Sequence, residues 1–260
     1  LAALNAVRQA GGEGSAEAAE LYAELGELHG ALNQPGDAIA AFEMAAKILP
    51  LRAPLHRRLG ELHRAQNHLP AAIEAMRRAA TLAADDPDSW HALGQTLEAA
   101  GKLPEALAAY QHAQSAGGDS VVMLVDLGRL AYQLGDVNTA RSALEEAVRG
   151  QASPALAALD DPALPHTLLG AIYEQSAEHA AALAAYKHAI ALAPSRSDLC
   201  VRLGMCCLAL GQPEAAIAAL RDVAERDLDN LALQKAMGQA YASAQLWDEA
   251  LLALEQAARL

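Results

Sequence analysis

Apolar residues recur along this chain at spacings of three, four and seven residues, which is the pattern of helices with one buried face. Within residues 87–120, Trp90 and Leu93 share one face of a first predicted helix, and Ala106 and Tyr110 share one face of a second. The segment therefore predicts a hairpin of two helices. Its apolar edge needs a neighbour on either side.

The same pattern returns through the whole chain. Each predicted hairpin has a glycine in its first helix, preceded by leucine or methionine and followed twelve residues later by alanine. The intervals between these glycines are 34, 34, 34, 42, 34 and 34 residues: Gly26, Gly60, Gly94, Gly128, Gly170, Gly204 and Gly238. Such a period predicts stacked similar units rather than one globular core. Because Gly94 and Ala106 have almost no side chain, we expect the two helices to approach closely there.

These features resemble the tetratricopeptide repeat. The resemblance rests on the 34-residue period, on Trp90-x-x-Leu93-Gly94 with its alanine twelve residues on, and on large residues sixteen after the glycine, namely Phe42, Tyr110 and Tyr186. It implies an all-α fold, a right-handed superhelical α-solenoid of antiparallel helix pairs. In that family the first helices line a concave groove that holds peptides or other proteins.

The period also predicts the division of the chain. Residues 1–18 are interpreted as the second helix of a partial upstream repeat, with a connector. Seven repeats follow, at 19–52, 53–86, 87–120, 121–162, 163–196, 197–230 and 231–260. The fourth repeat carries eight extra residues, around 150–162. We interpret them as a lengthened turn. Ser153-Pro154 could cap a short helix over Ala155 to Leu159 within them, and a functional loop is the alternative.

Composition excludes several classes of function. Apolar residues make up 53% of the chain but aromatic ones only 3%, which favours closely packed helices over a sheet. The net charge of −13 disfavours binding to nucleic acid or to an anionic membrane surface. No apolar stretch is long enough for a membrane span, and no signal-peptide pattern is present. We expect a cytoplasmic protein, or a periplasmic one if a signal was removed.

No catalytic or cofactor-binding motif is found, so we expect no enzyme activity in this segment, no cofactor and no metal. His29 and His63 are interpreted as packing residues that replace aromatic ones, and the cysteines as small buried thiols. An enzyme remains an alternative only if the segment is the targeting or substrate-binding arm of a larger protein, such as a glycosyltransferase.

The leading prediction is a scaffold that binds a peptide or partner segment in its groove. Six arginines between Arg52 and Arg78 give this stretch a local positive excess, which indicates a partner with an acidic end. Tyr132 is interpreted as the one aromatic residue outside the packing positions, and therefore as a binding anchor. The predicted peptide-binding residues are Arg57, Arg58, Arg64, His91, Gln95, Val125, Arg129, Tyr132, Val201 and Met205.

A structural role is the other alternative. Solenoids need polar terminal caps, and Leu251 and Leu254 in the last repeat form an apolar face without one. Under this alternative, that face predicts a homo-oligomer that forms through uncapped ends.

Overall fold

A computed structural model describes residues 14–149, 154–224, 227 and 229–260, and within these ranges the regular secondary structure is entirely α-helical. The helices are α1 Ala16–Ala31, α2 Pro35–Ile48, α3 Ala53–Ala65, α4 Leu69–Leu82, α5 Pro87–Ala99, α6 Leu103–Ser115, α7 Val121–Gln133, α8 Val137–Val148, α9 Pro154–Ala157, α10 Leu164–Gln175, α11 His179–Leu192, α12 Ser197–Ala209, α13 Pro213–Ala224, α14 Leu231–Ser243 and α15 Trp247–Arg259. The predicted all-α helical repeat is confirmed. The second helix of a partial upstream repeat, predicted within residues 1–18, falls on residues 1–13, which lie outside the described residues.

The chain divides after Asp119 into two compact units. In the first unit the hairpins are α1–α2, α3–α4 and α5–α6, and α2 packs on α3 as α4 packs on α5. In the second unit the hairpins are α7–α8, α10–α11, α12–α13 and α14–α15. There α8 packs on α10, α11 on α12 and α13 on α14, so each hairpin covers the second helix of the one before it.

Every hairpin turns through one residue with left-handed backbone. These residues follow the repeat glycine by seven positions and are Asn33, Asn67, Gly101, Gly135, Ala177, Gly211 and Gln245, with φ between 56° and 81°. In the third hairpin the Lys102 amide donates to the Leu97 carbonyl at 2.9 Å, which satisfies an orphan carbonyl at the end of α5. The turn therefore has one geometry throughout, although only three of the seven positions are glycine.

The repeat glycines make room for a large side chain from the second helix. A Cβ atom placed on Gly94 would lie 2.4 Å from Cε1 of Tyr110. The other six glycines face the residue sixteen positions later in the same way, at 2.5–2.8 Å: Phe42, Met76, Leu144, Tyr186, Leu220 and Leu254. Each glycine therefore leaves space for a side chain that crosses it. A Cβ atom on Gly128 or Gly238 would also lie 3.3 or 3.5 Å from the carbonyl oxygen of the alanine twelve residues later, as the predicted close approach of the helices requires.

Histidines occupy packing positions in the first helices. Trp90 donates its indole N–H to the Ala84 carbonyl at 2.9 Å, and Nε2 of His56, thirty-four residues earlier, bonds the Pro50 carbonyl at 2.8 Å. His166 stacks on the His188 ring at 5.3 Å, as Trp90 stacks on a histidine at 4.6 Å. These imidazoles take the place of indole rings.

The insertion in the fourth repeat forms a short helix in its described part. The four-residue α9 packs against α7 and buries Leu156, which is 3% exposed. A short helix was allowed for at 155–159 within the lengthened turn, and the helix present is Pro154–Ala157. Ser153, the predicted cap, lies outside the described residues.

Candidate partner-binding surface on the first helices

Side chains on consecutive first helices are hydrogen-bonded to one another within each unit. In the first unit Arg58 of α3 binds Glu27 of α1, and Arg64 of α3 donates to Gln95 Oε1 of α5 at 3.2 Å. In the second unit two hydrogen bonds likewise join consecutive first helices. Gln175 of α10 donates to Tyr132 of α7, and Arg202 of α12 donates to Glu174 of α10. In each unit these helices therefore share one polar surface.

Arg58 is held by two carboxylates. Its Nε donates to Glu27 Oε1 at 2.8 Å, Nη2 donates to the other Glu27 oxygen, and Nη1 donates to Glu61 Oε2 at 2.7 Å. The hydrogen bond from Arg58 lowers the pKa of Glu27 below its ordinary value. Both Arg58 and Glu27 keep about half of their side-chain surface exposed, at 44% and 52%. The pair is a surface link between α1 and α3.

Other arginines of the cluster also have acidic partners from neighbouring hairpins. Arg52 lies 3.4 Å from Glu20, Arg57 lies 3.9 Å from Asp86, and Arg77 lies 3.0 Å from Glu105, between the nitrogen and oxygen atoms. The local positive excess of the sequence is thus compensated by carboxylates about 30 residues away in the chain. A carboxylate on a partner would have to compete with these internal ion pairs.

The remaining predicted residues of the first unit are half-buried. His91 lies against the ring of Tyr110, with the centroids 5.4 Å apart, and Gln95 accepts the bond from Arg64. Beside Arg58, a cleft of about 320 Å³ opens between α1 and α3. Its lining is acidic and apolar as well as basic: Glu20, Ala23, Glu24, Glu27, Phe42, Arg52, Pro54, Leu55 and Arg58.

In the second unit Tyr132 is fixed at the surface of α7. Its hydroxyl accepts from Nε2 of Gln175 at 3.2 Å, and its side chain is half-buried. Arg129, one turn earlier, lies 3.7 Å from Asp126. The aromatic ring is therefore oriented before any partner binds.

Glu174 links three side chains at the junction of α10 and α12. It accepts from the Tyr186 hydroxyl at 2.5 Å, from Arg202 Nη1 at 2.9 Å and from the Cys206 thiol at 3.8 Å. Burial and the neighbouring carboxylate raise the pKa of Cys206 to about 12 and raise that of Tyr186 as well. Cys206 therefore stays protonated and unreactive, while Arg202 keeps half of its side chain exposed beside the site.

The apolar residues predicted for the surface differ in access. Met205 is 39% exposed and Val201 is half-buried, so both remain available on α12. Val125 is only 5% exposed, because it lies in a cluster with Leu159 of the insertion and Leu164 of α10. The prediction of Val125 as a peptide-binding residue is corrected, because a partner cannot reach a side chain that is buried to this extent.

The sequence interpretation missed Trp247. Tyr132 was expected to be the only aromatic residue outside the packing positions, but the Trp247 side chain is 65% exposed at the start of α15. The corresponding residues of the other hairpins are no larger than leucine or histidine. A comparison of that one position across the repeats would have identified it.

Two further kinds of feature are absent from the described ranges. These ranges contain no group of three or more His, Cys, Asp or Glu side chains that could hold a metal ion. None of the described helices combines the length and the apolar character that crossing a bilayer requires.

The hairpin stack and its shared first-helix surfaces define a helical repeat protein. Two family models of the tetratricopeptide repeat match residues 57–121 and 174–240. The chain belongs to the tetratricopeptide repeat family. A comparison with curated protein sequences found no match.

Solved structures show the same fold. MamA is 25% identical over 66% of this chain and 89% of its own, with a TM-score of 0.56. YrrB, a TPR protein with an unusual peptide-binding site, is 21% identical over 72% of this chain and 92% of its own, with a TM-score of 0.60. A tetratricopeptide repeat protein from Parabacteroides merdae is 17% identical over 93% of this chain and 92% of its own, with a TM-score of 0.56.

Proposed function

We propose that the chain is a protein-interaction scaffold and that the first-helix surface of its second unit holds a segment of a partner protein. The observation that carries this proposal is the set of polar links between consecutive first helices, which orient side chains toward one shared face. Family membership and the similarity in fold to YrrB, a protein with a peptide-binding site, support it.

The exposed side chains of this surface suit a partner segment that carries both apolar and polar residues. Met205 and the ring of Tyr132 offer apolar contact, and aromatic residues and methionine are enriched at the core of interfaces. Arg202, fixed by Glu174, and the exposed Lys235 offer donors. Oriented side chains lower the entropy lost on binding.

The acidic partner end expected from the arginine cluster is a separate hypothesis, and the proposal does not depend on it. Arg58 already binds Glu27 and Glu61, so an incoming carboxylate would have to displace one of them. The double variant Arg57→Glu with Arg58→Glu tests this hypothesis. Weaker partner binding with unchanged helicity would support the acidic end, and unchanged binding would remove these arginines from the mechanism.

A peptide library displayed on phage and selected against the folded chain tests the proposal. We expect selected peptides to bind saturably and to lose at least about tenfold in affinity with Met205→Asp, because a buried apolar contact becomes a charged one. Fluorescence anisotropy of the labelled synthetic peptides measures this change.

The matched control is Leu192→Asp, at a side chain of similar exposure near the end of α11. The affinity of the peptides for this variant should stay within about twofold of that for wild type, because surface substitutions away from a binding site have small energetic effects. If no peptide binds saturably, or if Met205→Asp and Leu192→Asp have equal effects, the proposed surface is wrong.

A further inference from the structure

A second candidate site is a cleft of the first unit between α2, α3 and α4, apart from the first-helix surface of the second unit. Its volume is about 430 Å³. The apolar part of its lining is Ala46, Pro50, Leu59, Ala71 and Ala75, and the ring of His56 lies among them. The cleft therefore combines an apolar interior with one polar ring.

His56 places a hydrogen-bond acceptor at this cleft. Its side chain is only 5% exposed, and its Nε2 lies 2.8 Å from the carbonyl oxygen of Pro50. A carbonyl can only accept, so Nε2 carries the proton and Nδ1 of the neutral ring is an acceptor. Among the described residues Nδ1 has no hydrogen-bond partner. A ligand that donates one hydrogen bond would satisfy this buried nitrogen.

The next junction of the first unit, between α4, α5 and α6, shows what fills the equivalent space. Thirty-four residues after His56 stands Trp90, whose indole N–H donates at 2.9 Å to the carbonyl of Ala84, the counterpart of Pro50. When the two rings are superposed on this shared hydrogen bond, the Cε1–Nδ1 edge of the imidazole lies where the six-membered ring of the indole is fused. His56 therefore leaves open the space of one six-membered ring, and Nδ1 points toward it.

The rim of the cleft is also open where the next junction is bridged. There Nη2 of Arg77 lies 3.0 Å from Oε2 of Glu105, so the pair joins α4 to α6. The counterparts of these residues at the cleft are Glu43 and Ala71. They cannot form this ion pair, because alanine carries no charge.

Arg78 occupies a repeat position that stacks on a ring at other junctions. His112, thirty-four residues later, stacks on Trp90 with the centroids 4.6 Å apart. His188, at the same repeat position, stacks on His166 at 5.3 Å. A guanidinium also stacks on aromatic faces. Because Arg78 lines the cleft, it can lie over the face of an aromatic ring bound there.

The charges on the rim favour a neutral ligand. The rim carries Glu43 and Glu74 together with Lys47 and Arg78, which sum to zero. A tyrosine side chain is neutral at pH 7, has one six-membered ring and donates one hydrogen bond through its hydroxyl. The four rim side chains are exposed and of both signs, so they can contact the polar residues that flank a tyrosine in a polypeptide.

We propose that this cleft binds one tyrosine side chain of a partner protein. The ring occupies the space that the indole of Trp90 fills at the next junction. The hydroxyl donates to Nδ1 of His56, and the guanidinium of Arg78 lies on the face of the ring.

The first probe is p-cresol, which is the tyrosine side chain as a free molecule, and the second is N-acetyltyrosinamide, which adds the flanking peptide groups. The readout is the methyl NMR signals of Leu59, which lines the cleft. We expect both probes to shift these signals saturably, with millimolar dissociation constants because the probes are small. The methyl signals of Leu93, the counterpart of Leu59 at the next junction, should stay in place.

Matched probes without the hydroxyl test the hydrogen bond to His56. These are toluene for p-cresol and N-acetylphenylalaninamide for N-acetyltyrosinamide. Each should bind at least about threefold more weakly than its partner, because Nδ1 of His56 is left unsatisfied.

Three variants of the chain test the site itself. His56→Trp places the residue of the next junction in the cleft and should weaken both probes at least about tenfold, because the space is then filled. Arg78→Glu should weaken them at least about fivefold, since a carboxylate is repelled by the face of the ring. Arg77→Glu, one residue earlier and paired with Glu105 outside the cleft, is the control and should stay within about twofold.

Circular dichroism checks that these variants are folded, and the exposed pair Arg78→Glu and Arg77→Glu tests the site even if His56→Trp does not fold. Met205→Asp, in the second unit, should bind both probes as wild type does. The outcome is therefore independent of the first-helix proposal.

Four results would overturn the proposal. The first is that p-cresol does not shift the Leu59 signals saturably. The second is equal affinity for p-cresol and toluene. The third is equal affinity of wild type and a folded His56→Trp, or of Arg78→Glu and Arg77→Glu. The fourth is binding of p-cresol but not of N-acetyltyrosinamide, since the ligand would then be a free phenol rather than a tyrosine of a protein.

Discussion

Tyr110 lies directly across Gly94, so closely that a Cβ atom on Gly94 would be 2.4 Å from Cε1 of the ring. The ring cannot move aside easily, because its hydroxyl donates to Glu98 at 3.1 Å and His91 lies against it. The crossing of α5 and α6 therefore depends on the absence of one methyl group. The same relationship recurs in each hairpin with a different large residue.

Gly94→Ala is expected to destabilise the chain by about 1–3 kcal/mol, as overpacking of a filled core does. Urea unfolding measures this change. Gly30→Ala is the matched control, because no atom lies within 4 Å of the added Cβ and Gly30 is also helical. It should be neutral or stabilise by up to about 1 kcal/mol, through helix propensity. Equal destabilisation by both changes would contradict the packing argument.

Ala177→Gly is expected to stabilise the second unit by about 0.5–1 kcal/mol. Ala177 has φ of 57°, where an L-residue with a Cβ is strained and glycine is not. Gly211, at the equivalent turn, has φ of 70°, so Gly211→Ala should lower the free energy of unfolding by a similar amount. Thermal melts of the two variants and the wild type measure both effects. Changes of the same sign would contradict the shared turn geometry.

His166 is expected to lower the free energy of unfolding as the pH is lowered from about 6.5 to 4. Burial, and to a lesser extent His188, lower its pKa to about 4, so the folded chain keeps this imidazole neutral after the unfolded chain has taken up a proton. Unfolding is therefore favoured as the pH falls through this window, by up to about 3 kcal/mol. Above pH 6.5 both states are neutral and the effect vanishes.

His166→Phe is the comparison that isolates this contribution. Urea unfolding at a series of pH values should show a shallower loss of stability for His166→Phe than for wild type between pH 6.5 and 4. Carboxylates elsewhere titrate alike in both chains and cancel in the difference. Parallel curves for the two proteins would show that another group causes the pH dependence.

Arg58→Met is expected to raise the pKa of Glu27 toward its ordinary value, because the hydrogen bond from Arg58 is the main cause of its lowering. The loss of stability should be no more than about 1 kcal/mol, since both side chains are about half exposed. An NMR titration of the Glu27 carboxyl carbon measures the shift. Arg78→Met, in the same cluster, is the control and should leave that titration unchanged.

The sequence predicted most of the fold but only part of the candidate surface. Met205 and Tyr132 are accessible as expected, since their positions follow from the helical period alone. The arginine cluster looked positively charged because its partners, such as Glu27 and Glu105, are distant in sequence. Val125 looked accessible because the repeat pattern does not reveal that the insertion folds over α7.

The sequence by itself determined the repeated hairpin. Helical periodicity and the glycine with its alanine twelve residues later are local properties of each 34-residue segment. Only the tertiary structure decided which charges neutralise one another and which apolar residues stay exposed. Such outcomes depend on neighbours distant in the chain: Glu27 lies beside Arg58, and Leu159 and Leu164 lie in one cluster with Val125, which is only 5% exposed.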